Sequence, residues 1–146
     1  MSYFQSQFEG GAIPVLQKAM AFHEARHTLL ARNIANASTP GYRPTDLNEG
    51  DFQNLLLQAV RNRDAGHLRS FQLPESEAFG TDAQGHLLVK ADPTPTREGQ
   101  VRHDGNSFNP EREMSFLADN ALAHERATQL LAGSFRTLEL AIRGRA

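Results

Sequence analysis

A mostly apolar series recurs at alternating intervals of three and four residues at both ends of this chain. Over 12–37 it is Ile13, Leu16, Met20, His23, His27, Leu30, Ile34 and Ala37. Over 110–143 it is Met114, Leu117, Ala121, His124, Thr128, Leu131, Phe135, Leu138 and Ile142. A mean repeat of about 3.5 residues marks a helix that lays a narrow seam along a partner helix. Pro14 sits where a first helical turn tolerates it. At the other end, Thr39 before Pro40 leaves the α region, and Pro40-Gly41 suits the centre of a type II turn. The second helix has Asn109 as N-cap, Pro110 at its first position, and Glu111 and Glu113 against the positive end of its dipole. Arg143-Gly144 is its expected stop. Gly133 inside it costs about 1 kcal/mol relative to Ala, and either a close neighbour or simple tolerance explains it. At 1.5 Å per residue this helix is roughly 50 Å long.

Each helix carries a second apolar line. Val15, Phe22 and Leu29 repeat every seven residues on the first, and Phe116, Ala123 and Leu130 do so on the second. A two-helix hairpin alone leaves these lines in water, so they are expected to face neighbouring copies or other subunits; scattered surface apolars are the plainer reading.

Between the helices, 42–109 is sparsely patterned. Phe52, Leu55, Leu56, Ala59 and Val60 have the spacing of a short amphipathic helix near 51–63, which Asp51 can cap. Leu87-Leu88-Val89 reads as a strand after the Asp82-Ala83-Gln84-Gly85 turn, and 91–100 reads as linker. So long a loop argues against a compact core and for a largely irregular or disordered middle. The expected fold is mainly α, with two long terminal helices in an antiparallel coiled-coil-like pair. One structural domain divides into 1–43 (helix and corner), 44–109 (irregular middle) and 110–146 (C-terminal helix).

Composition removes several function classes. Lys and Arg number 15 against 17 Asp and Glu, a net charge of −2, so no concentrated positive surface for nucleic acid is expected. With no cysteine there is neither a disulfide framework nor a thiolate metal cluster. No apolar run approaches the roughly 20 residues of a membrane span, and the first ten residues lack the pattern of a cleaved secretory signal. Hydrophobic residues make up 39%, which also speaks against a large core.

His23-Glu24-Ala25-Arg26-His27 matches H-E-x-x-H, which on a helix puts both histidines on one face with the Glu as general base of a zinc peptidase. Chance alone gives such a match in roughly one chain in sixty of this make-up. The extended pattern fails, because Leu30 and Asn33 stand where Gly and His belong. His23, His27 and His124 all fall on the seams, where neutral histidines can form a register-fixing polar layer. A weak metal site or a pH-sensitive switch at these three is the alternative. No Walker, Rossmann or G-x-S-x-G pattern and no Cys nucleophile is present, so neither catalytic residues nor a cofactor is expected.

Residues 30–46 read LARNIANASTPGYRPTD. This resembles the N-terminal signature of bacterial flagellar rod and hook proteins, carried here by Asn33, Ile34, Ala35, Asn36, Thr39, Pro40, Gly41 and Tyr42. Asp104-Gly105-Asn106, Glu113-Met114, Asn120-Ala121-Leu122 and Thr128-Gln129-Leu130-Leu131 before Phe135 extend it towards the FlgB family of proximal rod proteins. The resemblance implies a non-enzymatic subunit of the flagellar basal-body rod, part of the drive shaft across the periplasm. It implies export through the flagellar type III apparatus without a cleaved signal, and partners among its own copies and other rod and basal-body proteins. It implies neither nucleic-acid binding nor membrane insertion. Within that reading Ile13, Leu16, Met20, Leu30 and Ile34 pair with Leu117, Leu131, Phe135, Leu138 and Ile142, and the lines through Val15, Phe22, Leu29, Phe116 and Leu130 face other subunits. A zinc peptidase and a generic coiled-coil adaptor are the competing classes.

Overall fold

The computed structural model describes residues 11–66, 71–90, 94–95 and 109–144. The N-terminal ten residues, most of the expected linker and the Asp104-Gly105-Asn106 motif lie outside them. In chain order the elements are α1 (Ile13–Ala35), β1 (Thr45–Asp46), α2 (Glu49–Asp64), β2 (Phe79–Thr81), β3 (Leu87–Val89), β4 (Thr94–Pro95) and α3 (Pro110–Ile142). The molecule is mainly helical, with two small antiparallel pairings, β1 with β4 and β2 with β3.

Local chemistry sets the helix ends. Asn109 Oδ1 accepts the backbone N–H of Arg112, and Pro110 opens α3, as their side chains favour. Asn48, not Asp51, caps α2: its Oδ1 accepts from the Asp51 N–H, so α2 begins two residues earlier than its apolar pattern suggests. After α1 the chain turns through Thr39–Tyr42, closed by the Tyr42 N–H on the Thr39 carbonyl at 3.2 Å. Gly41 sits there at φ +73°, the left-handed position that a type II turn reserves for glycine.

The described parts of the middle are ordered around a core of their own, which corrects the expectation of an irregular segment for these residues. Phe22 of α1, Phe52 and Ala59 of α2, Phe79 of β2, and Leu47 and Leu73 from the connecting stretches form one buried cluster. The Phe22 and Phe52 rings stack at 4.2 Å, and Phe79 meets both edge-on at 5.9 and 5.5 Å. Three aromatics bury much area from few positions, which an average over the whole chain conceals. The β2–β3 hairpin leans back on α1, where the buried Lys18 donates its Nζ to the Gly85 carbonyl.

α1 and α3 pack antiparallel: Asn33 bonds Glu113, His23 bonds Asn120, and Glu24 faces His124. The α3 side of this contact differs from expectation. Glu113, Asn120 and Ala127, seven apart, are its buried residues, flanked by half-buried Leu117, His124, Leu131 and Leu138. The expected line through Met114 and Phe135 is instead 56% and 44% exposed. One of the two seam lines has moved by one residue, about 100° around the axis. Two of its members are polar, so a count of apolar residues passes over them.

Candidate assembly interface

The corner that ends α1 is organised by Asn33, which is fully buried. Its Nδ2 donates to the Thr45 carbonyl (2.9 Å) and to Glu113 Oε2 (3.0 Å). Its Oδ1 accepts from the Tyr42 hydroxyl (2.9 Å) and the Thr45 N–H (3.1 Å). Both amide hydrogens and both lone pairs are used. Four segments (α1, the turn, β1 and α3) therefore meet at one side chain. Asn36 closes the rest of the corner, donating to the Arg32 carbonyl and accepting from Thr39. Ile34 is half-buried, and Ala35 and Pro40 are exposed.

Two turns earlier, Arg26 grips Asp46 through paired bonds of 2.9 and 2.8 Å and Glu49 through one of 2.6 Å. Burial works against its charge, but the two carboxylates outweigh it and hold the guanidinium above its ordinary pKa. Arg26 belongs to the HEARH segment, where the sequence directs attention to the histidines. Its fork ties α1 to β1 and the start of α2.

His23, Glu24, His27, Thr28, Asn120, Ala121 and His124 line one open cleft of about 450 Å³ between α1 and α3. The three histidines thus come together, as their seam positions suggest. Asn120 Nδ2 donates to the His23 carbonyl and its Oδ1 meets His23 Nδ1, both at 2.8 Å. A carbonyl only accepts, so the amide orientation is fixed and His23 carries its proton on Nδ1. Among the described residues His124 Nε2 is buried without a hydrogen-bond partner, 3.6 Å from Glu24 Oε1. Among the described residues no group of three His, Cys, Asp or Glu side chains is placed to hold a metal ion.

Among the seam residues, Ile13 and Leu30 are buried, and Leu16, Met20, Ile34, Leu117, Leu131 and Leu138 are half-buried. Phe135 and Ile142, expected to pair with α1, stand exposed, Ile142 at 68%. Two physical reasons act, length and the shift of the seam line. The observed pairings set Ile13, the first residue of α1, level with about residue 133 of α3, so roughly 13 Å of α3 runs past the start of α1. Phe135 and Ile142 also share the seven-residue line of Met114, which the one-residue shift of the seam turns out of the contact.

The second lines divide. Phe22, expected to face another subunit, is fully buried in the chain's own core, and half-buried Leu29 packs on that core. Val15 is half-buried. On α3, Phe116 is half-buried with the Arg112 guanidinium 5.3 Å from its ring centre, whereas Leu130 is 61% exposed. Leu122 and Leu140 are exposed as well, on the flank away from α1. The middle segment shelters the outer face of α1, and α3 keeps two unsheltered apolar surfaces. Among the described residues no helix is long and apolar enough to cross a membrane.

No family model matches the chain. It is 31% identical over 132 residues to the flagellar basal body rod protein FlgB of Escherichia coli K12, covering 86% of this chain and 88% of that protein. It is 33% identical over 127 residues to FlgB of Cereibacter sphaeroides, covering 87% and 90%. A third relative, FlgB of Aquifex aeolicus, is 29% identical over 135 residues, covering 92% and 94%. The corner built on Asn33, the long terminal helices and this near full-length similarity have one reading: the chain belongs to the FlgB family of flagellar basal body rod proteins.

Proposed function

We propose that this chain is a structural subunit of the bacterial flagellar basal-body rod, held in place through its terminal helices. The observation that carries the reading is the stretch of α3 beyond the start of α1, where Leu140 and Ile142 remain exposed. Burying a side chain of this size contributes about 1.5–3 kcal/mol, so a few such contacts suffice to drive association. The seven-residue spacing of Glu113, Asn120 and Ala127 supports a coiled-coil-like pairing of α1 and α3. In this reading the chain is one structural domain that supplies no catalysis and needs no cofactor. Its partners are other copies and other rod and basal-body proteins, reached by flagellar type III export into the periplasmic rod.

The test is complementation of a strain lacking the gene with the double variant Leu140→Lys, Ile142→Lys. The wild-type gene is expected to restore basal bodies and motility, and the double variant to accumulate as folded protein without restoring them. Normal motility with the double variant removes the overhang as an assembly surface. A deletion strain with intact basal bodies removes the rod assignment itself.

A further inference from the structure

We propose that Glu113 is a proton-operated catch at the junction of α3 with the Asn33 corner, gripping in its neutral form and loosening when ionised. The proposal stands apart from the rod reading and rests on what surrounds one side chain. Glu113 is 4% exposed, and its one hydrogen-bond donor among the described residues is the neutral amide of Asn33. Asn33 has no second hydrogen to offer, because its other N–H serves the Thr45 carbonyl. Among the described residues no cation lies within ion-pairing distance of Glu113.

The charged groups around it come from every element packed there. Arg26 on α1 is already clamped by Asp46 of β1 and Glu49 of α2. Glu113 is therefore the third carboxylate near one guanidinium. Arg112, its neighbour on α3, has its guanidinium over the Phe116 ring. The positive end of α3 favours an anion, but the N–H groups of Arg112 and Glu113 are engaged by Asn109. Tyr42 reaches the site only through the Asn33 amide oxygen. Burial pushes the Glu113 carboxyl up and Asp46 adds to it; the Asn33 hydrogen bond and the charges of Arg112 and Arg26 oppose without reversing it.

The sign follows by linkage. A carboxyl raised in the folded state contributes stability that is fully present below its unfolded value and lost as pH rises through the folded one. Closure of the α1–α3 junction is therefore firmest in mild acid and slackens towards neutrality. Protonation keeps the contact intact, since the neutral carboxyl still offers its carbonyl oxygen to Asn33.

The experiment is thermal unfolding of the full chain and of Glu113→Gln between pH 4 and 8. Gln keeps an acceptor for Asn33 and removes the charge. The expected result is a Tm for Glu113→Gln about 2–4 °C above wild type at pH 8, with the gap closing towards pH 4. A gap that does not change with pH, or a variant less stable at pH 8, overturns the proposal. A second measurement needs no variant: the carboxyl carbon of Glu113 followed by NMR in the wild-type chain. Its midpoint is expected above the ordinary glutamate value of about 4.3, and a midpoint at or below that value overturns the catch.

Discussion

The side-chain amide of Asn33 pairs with the backbone of Thr45 as a neighbouring strand would, giving a hydrogen to its carbonyl at 2.9 Å and taking one from its N–H at 3.1 Å. The last full turn of α1 is thereby joined to a segment twelve residues on, and the intervening turn is held shut. No other side chain of that size carries two donors and two acceptors in one plane. Asp, nearly isosteric, has no donor when ionised and would set a second anion against Glu113.

Asn33→Ala is expected to destabilise the chain by about 2–4 kcal/mol, because it strands the Thr45 backbone, Tyr42 and Glu113 partners together. Chemical denaturation of wild type and variant measures this. A loss below about 0.5 kcal/mol would mean that water replaces the amide at no cost.

Phe22→Ala removes the ring that stacks on Phe52 and meets Phe79. The expected cost is about 3–5 kcal/mol, the range for a buried aromatic truncated to alanine. The near-ultraviolet signal of the core and the denaturation midpoint should fall together. An unchanged midpoint would require Phe22 to be covered by something other than this core.

Arg26→Lys keeps the charge but gives up the paired bonds to Asp46 and the reach to Glu49. We expect a loss of about 1–2 kcal/mol, discounted because Glu49 is partly exposed. Glu24→Gln, in the same HEARH segment, should change stability by less than about 0.5 kcal/mol, since Glu24 is largely exposed. Equal effects of the two substitutions would refute the contrast.

Asp82 closes the β2–β3 turn by accepting the N–H groups of Gln84 and His86, at 2.9 and 2.6 Å. The bond from the His86 backbone foremost holds its carboxyl below the usual aspartate range. Its contribution is therefore present above the ordinary Asp value and lost as pH falls through the depressed one. Amide proton shifts of Gln84 and His86 should titrate together in that low range. Titration at the ordinary value would show that the turn does not depend on the carboxylate.

The terminal helices are legible because their signals are local. Periodicity, Pro14, Asn109 with Pro110, and the Pro40-Gly41 turn all act within a few residues, and the observed bounds fall within two residues of expectation. The Asp82–Gly85 turn and the Leu87–Val89 strand are local too. What the sequence hides is long-range and polar. Glu113 and Asn120 occupy the α3 contact because Asn33 and His23 on another helix satisfy them, and apolar periodicity counts both as outward. A search for polar residues at seven-residue spacing, Glu113 with Asn120, would have raised them. The core around Phe22 escapes for a similar reason, since Leu47, Leu73 and Phe79 share no short pattern. Arg26 leaves no trace beyond its charge; its carboxylate partners stand 20 and 23 residues away.

The fastenings of α3 are unevenly spread: Glu113 and Asn120 tie its first half to Asn33 and His23, and among the described residues no hydrogen bond to another element holds the stretch from Leu130 to Ile142. A rod clamped at its root and free at its tip is a cantilever. In a rod so fastened the restraint is greatest near Glu113 and least towards Ile142. The greasy tip can find a neighbour without disturbing the seat from which it springs.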